Sequence, residues 1–158
     1  MKRVLLFLFV WVLWTGLVEC QELTVQANPQ TKTVLTRADI EALPHVTVAA
    51  DKSAEPVSYE GVALRSVLEK AGVQFGESLR GKRMASYLLV EADDNCRVVI
   101  ALPEIDPAFS DKQILLAFLR NGKPLDDKEG PYRIVIPDEK RMARWVRQVK
   151  DLKIQEAP

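Results

Sequence analysis

The residues of this chain best suited to holding a ligand are basic. Lys140, Arg141, Arg144, Arg147, Lys150 and Lys153 crowd around Trp145, with Asp151 the only acid among them, and Arg133 lies a short distance upstream. Guanidinium groups grip carboxylates and phosphates through two parallel hydrogen bonds, and an indole stacks on a ring or on a guanidinium. The chemistry this predicts is anion recognition, with Arg133, Lys140, Arg141, Arg144 and Trp145 as the ligand-binding set. On a helix, residues 140, 144 and 147 would share a face; on a strand, 141 and 147 would. The competing reading is a solvated face neutralised by Asp127, Asp138 and Glu139.

Other reactive side chains are sparse, and no catalytic residue and no metal ligand is predicted. His45 is the only histidine. It has no carboxylate or thiolate at ligand spacing, so it reads as a half-buried strand residue. Asp93 and Asp94, near Glu91, lack the spacing of a calcium loop and suit a turn. Cys96 follows that turn. A reactive thiol needs nearby positive charge, and Arg97, its neighbour, would point to the opposite strand face. Cys96 therefore reads as a small structural residue.

The elements that must position these groups are short. "LTVQA" (23–27) alternates as a strand, with a partner over 32–35. "TRADIEALP" suits one helix with Thr36 and Asp39 at capping-box spacing. His45–Ala49 and Val57–Tyr59 read as strands around the polar turn "DKSAEP". The spacing of Leu64, Val67, Leu68 and Ala71 predicts a helix over Val62–Ala71, closed by Gly72. Strands follow at 85–92 and 97–101, then a Pro103-led helical turn. Further strands are predicted at 114–119 and 132–136. Asn121-Gly122 marks a hairpin, and "VKDLKIQE" alternates as a last strand. Many short strands with two or three short helices define an α+β class with a mixed or antiparallel sheet.

The 158 residues suffice for one domain with a core, and the formal charge of zero gives no footprint for nucleic acid. Lys2 and Arg3 precede an apolar run from Val4 to Trp14, the form of a secretory signal. The uncharged span is short for a bilayer helix, which needs about 20 residues. Cleavage after Cys20 gives residues 1–20 as signal peptide, 21–158 as one domain, and a periplasmic or secreted protein with no stable membrane span. Lipidation of Cys20 is the rival, against which Glu19 stands where a small residue is wanted. The exported chain would keep one thiol and form no internal disulfide.

The order of the pieces carries a resemblance. "YEGVALRSVLEKAGV", "YLLVEADDNCRVVIALPEID" and "ILLAFLRNGKPLDDKEGPYRIVIPDEKRMARWV" together resemble the oxidoreductase molybdopterin-binding domain, the sulfite-oxidase-like fold. Gly61, Leu64, Leu68, Ala71, Gly72, Pro103, Asn121, Gly122, Pro124, Leu125, Gly130, Arg133, Pro137 and Trp145 fit the family pattern. The resemblance implies a molybdopterin cofactor and an oxidoreductase. It also exposes departures. The segment "VTVAADKSAEPVSYEGV" lacks the cysteine that supplies the family's molybdenum thiolate. Glu129 stands at a family histidine, placing an anion where a cofactor phosphate would be held, and "DDNC" replaces a "D-G-Y" turn. The leading reading is a non-catalytic binding or accessory module for an anionic small molecule or a redox partner protein. A molybdopterin-dependent subunit with an atypical metal site and a purely structural domain are the alternatives.

Overall fold

The computed structural model describes residues 22–50 and 56–157. The predicted signal segment and most of the 51–56 turn lie outside the described residues. The described residues form ten strands and three α-helices. The strands are β1 (Leu23–Asn28), β2 (Thr31–Leu35), β3 (His45–Ala50), β4 (Val57–Ala63), β5 (Ser86–Ala92), β6 (Arg97–Ala101), β7 (Leu115–Arg120), β8 (Lys123–Pro124), β9 (Arg133–Val135) and β10 (Val149–Glu156). The helices are α1 (Arg37–Glu41), α2 (Leu64–Lys70) and α3 (Leu102–Ile105). This is the α+β class expected.

One sheet runs β2-β1-β10-β5-β6, and a second runs β3-β4-β7-β8, with β9 also paired to β7. The pairings are antiparallel except β1 with β10, so the sheets are mixed overall. Alternation along the strands drives the burial: in β5, Ser86, Leu88, Val90 and Ala92 face inward while their neighbours are half-exposed. Leu23, Val25, Leu88, Val90 and Leu152 from the first sheet join Val62, Leu115, Leu116 and Ile134 from the second in one core. Leu64, Val67 and Leu68 of α2 complete it.

Local chemistry sets the ends of these elements. Thr36 Oγ1 accepts from the Asp39 N–H while the Asp39 carboxylate accepts from the Thr36 N–H, so the expected capping box forms. Asn121 and Gly122 both have positive φ, 50° and 73°, as a tight β7–β8 hairpin requires. The helix predicted over Val62–Ala71 is shorter. Val62 and Ala63 continue β4, because their backbones pair with Leu116 and Leu115 of β7 and the ladder competes successfully with the helix. Gly61 explains how closely β4 and β7 approach. A Cβ there would lie 2.2 Å from the Leu116 carbonyl oxygen and 2.5 Å from the Ala117 Cα, so only glycine fits at this register shift. His45 is exposed rather than half-buried. Its ring hydrogen-bonds the Glu60 carboxylate and the Glu41 carbonyl and meets Phe118 edge-on at 5.2 Å.

Candidate functional site

The second sheet brings together residues from three strands and one turn. Tyr59 of β4 pairs with Arg120 at the end of β7, and Ala117 of β7 is flanked by Gly61 of β4 and Arg133 of β9. The turn Met142–Arg144 leads into Trp145, whose indole N–H donates to the Ile136 carbonyl at 3.0 Å. Tyr59, Arg120, Arg133 and Trp145, together with Ala50, Val57, Glu129 and Met142, line a pocket of about 140 Å³.

Arg133 is the centre of the pocket. It is 8% exposed, and its guanidinium carbon sits 5.3 Å from the Tyr59 ring centroid and 5.7 Å from that of Trp145. Such distances give a cation–π contact with each ring. The two rings meet edge-on at 5.9 Å. Arg133 Nη1 donates to the Tyr59 hydroxyl at 3.1 Å and to Glu129 Oε1 at 2.5 Å. Arg120 Nη1 donates to the same Glu129 oxygen at 3.3 Å, and its guanidinium lies 6.0 Å from the Tyr59 ring. Burial pushes the Tyr59 phenol above its ordinary pKa; the Arg133 and Arg120 charges oppose this and Glu129 reinforces it. Arg133 Nε is buried with no hydrogen-bond partner among the described residues. Such a group is uncommon, because leaving a buried donor unpaired costs about 1–3 kcal/mol.

The basic stretch predicted as one cluster divides in space. Arg133 and Trp145 come together. Arg144 is drawn away by carboxylates: its Nε donates to Glu139 at 2.6 Å, its Nη2 also reaches Glu139, and its Nη1 and Nη2 reach Glu104 at 3.4 and 3.2 Å. Burial works against the Arg144 charge, and the bonds from Glu104 and Glu139 overcome it and raise its pKa. Lys112 joins Glu104 from the other side at 2.6 Å. Lys140 and Arg141 are exposed, and neither lines the pocket. Glu139 thus neutralises part of the stretch, as the solvated-face reading expected. Cys96 is exposed after the Asp93–Asp94 turn, where the Asp94 carboxylate accepts the Cys96 N–H at 2.9 Å.

Sequence reasoning missed Tyr59, Arg120 and Met142 as pocket residues. It noted Glu129 only as a departure from a family position. Arg120 directly precedes the Asn121-Gly122 turn, which places it at a strand end. That was the available signal, and it does not say what the side chain meets.

The sequence profile of the oxidoreductase molybdopterin binding domain matches residues 17–158. The chain therefore belongs to that family, and its architecture is the sulfite-oxidase-like fold that the motif order implied. Among solved structures, it is similar to the sulfane dehydrogenase SoxCD from Paracoccus pantotrophus. The TM-score is 0.65 at 20% identity, over 86% of this chain and 39% of that one. The chain thus spans about two-fifths of that protein's length, and the likeness is one of fold. No curated protein sequence matches the chain.

The family implies a molybdopterin, and the pocket residues do not fit one. At about 140 Å³ the pocket is well below the roughly 300–1,000 Å³ of sites for drug-sized ligands. Glu129 puts a carboxylate against the two guanidiniums that an anionic group would seek. No thiol lines the pocket among the described residues, and the sequence holds cysteine only at positions 20 and 96.

Proposed function

We propose that this chain is an exported, non-catalytic binding module of the molybdopterin-binding domain family, and that its pocket holds a small anion. One observation carries the reading. Two guanidiniums, Arg120 and Arg133, share a single carboxylate in the pocket that Tyr59 and Trp145 also line. Among the described residues one positive charge is left over, beside a buried Arg133 Nε that has no acceptor there. A small oxyanion or carboxylate supplies both the countercharge and a hydrogen-bond acceptor. Lys140 and Arg141, exposed on the approach to the Met142–Arg144 turn, offer a basic surface to a redox partner protein or to the incoming ligand.

Calorimetric titration with acetate tests the pocket. We expect saturable binding in the wild type and its loss in Arg133→Gln; equal binding in both would overturn the assignment. Molybdenum analysis of protein purified from a pterin-competent host tests the non-catalytic role, which stoichiometric metal would sink. The second reading, a molybdopterin-dependent oxidoreductase subunit with an atypical metal site, draws on the family match over residues 17–158. It predicts a cofactor absorbance band that Arg144→Ala abolishes.

The charged start at Lys2–Arg3 and the apolar run after it support export. N-terminal sequencing of the exported protein should begin at Gln21. A lipid-modified Cys20 detected by mass would replace that reading with a lipoprotein. No helix among the described residues is long and apolar enough to cross a membrane.

A further inference from the structure

We propose that Glu129 sets the charge of the ligand this pocket accepts, admitting a monoanion and rejecting a dianion. The proposal rests on the anion-pocket reading above and names its selectivity. Glu129 is the only carboxylate lining the pocket among the described residues, and one of its oxygens takes hydrogen bonds from both Arg133 and Arg120. Its side chain is only 14% exposed. Its backbone is pinned at both ends: the N–H donates to the Asp126 carbonyl at 3.0 Å, and the carbonyl accepts the Gln148 N–H at 3.0 Å. The carboxylate is therefore a fixed wall charge. Asp126, three residues before Glu129, turns its carboxylate to the N–H groups of Lys128 and Glu129 in its own turn.

Among the described residues that line it, the pocket therefore carries two positive charges and one negative. Arg133 is held by two aromatic rings and two hydrogen bonds, so its charge is fixed as well. A monoanion balances the site. A dianion overfills it and brings its second charge against the Glu129 carboxylate, which is itself only 14% exposed. Like charges brought together in this way are how sites exclude close analogues of their ligands.

The test uses the full chain at low ionic strength, where screening is least. Acetate and sulfate serve as the monoanion and dianion probes, each titrated by calorimetry and by the assigned Trp145 indole N–H resonance. In the wild type, acetate should bind at least about tenfold more tightly than sulfate, the effect of roughly one close unit charge. Glu129→Gln should raise sulfate affinity by about tenfold or more and reverse the order. Arg120→Gln, which changes a half-exposed side chain and so spares the core, brings the pocket to neutrality and should lose acetate. Circular dichroism checks that each variant folds; if Glu129→Gln does not, Arg120→Gln decides, and retained acetate affinity overturns the proposal. Wild-type binding with no preference also overturns it, as does an unchanged preference in Glu129→Gln. If those results come with binding that Arg133→Gln removes, the pocket stands and only the selectivity fails. If no protein binds either anion, both fail.

Discussion

Two buried charges in this fold are treated in opposite ways. Asp106, at the end of α3, is fully buried, and its carboxylate accepts from Arg65 Nη1 at 2.9 Å, the Gly76 N–H at 2.5 Å and the Ala108 N–H at 3.0 Å. Arg133 is nearly as buried, yet its Nε has no partner among the described residues. A fully satisfied buried charge ties loops together: Asp106 joins α2, the Gly76 turn and the segment after α3. An incompletely satisfied one sits in a pocket with room for another molecule. The contrast separates a structural knot from a candidate site, although both are charged residues shielded from water.

The largest loss of stability is expected at Asp106. Asp106→Ala leaves Arg65 Nη1 and two backbone N–H groups without their acceptor, while Arg65 Nε keeps Glu69, and should cost about 3 kcal/mol, read by urea denaturation. A loss below about 1 kcal/mol would mean the knot is not structural.

The knot also has a pH signature. Burial acts to raise the Asp106 pKa, but the hydrogen bonds from Ala108 and Gly76 and the Arg65 charge outweigh it, so the folded value lies below the ordinary carboxylate range. A group depressed in the folded state contributes its stability above its unfolded pKa and loses it as pH falls through the folded value. The stability gap between the wild type and Asp106→Asn should therefore be full at neutral pH and close only in strong acid. A gap that widens on acidification would reverse the sign and refute the assignment.

On the pocket side, Trp145→Phe removes the indole donor to Ile136 and part of the ring that flanks Arg133. We expect a loss of about 2 kcal/mol in thermal or urea melts, a middle value because one buried hydrogen bond and part of a large side chain are deleted. The smallest effect should come from the pair at the centre. Arg133→Met combined with Glu129→Gln removes the charges together and keeps much of the side-chain volume. Stability should stay within about 1 kcal/mol of the wild type or rise, as when apolar groups replace buried ion pairs. A large loss from this double variant would make Arg133 a second structural knot and erase the distinction between the regions.

Much of the fold was legible in the chain because it depends on neighbours in sequence. The alternation of "SYLLVEA", the Thr36–Asp39 capping box and the Asn121-Gly122 hairpin each follow from residues a few positions apart. The end of β4 was misread for the complementary reason. Val62 and Ala63 sit beside an excellent helical pattern, and only their pairing with β7 holds them in the strand. The candidate site was half legible. Arg133 and Trp145 were singled out, but the basic stretch gave no sign that Arg144 would turn to Glu104, forty residues earlier.

The sequence by itself determined the family, the strand-rich α+β character and the presence of an acid at position 129, ahead of the turn residues "GP". Those properties reside in motif order, periodicity and local turn chemistry. The tertiary structure decided which cations share an acid and which are left with a surplus. Tyr59 and Arg133 stand seventy-four residues apart and meet because β4 and β9 flank β7 in one register. Electrostatic balance depends on distances of a few ångströms between remote segments, and no pattern along the chain encodes those distances until the sheet is assembled.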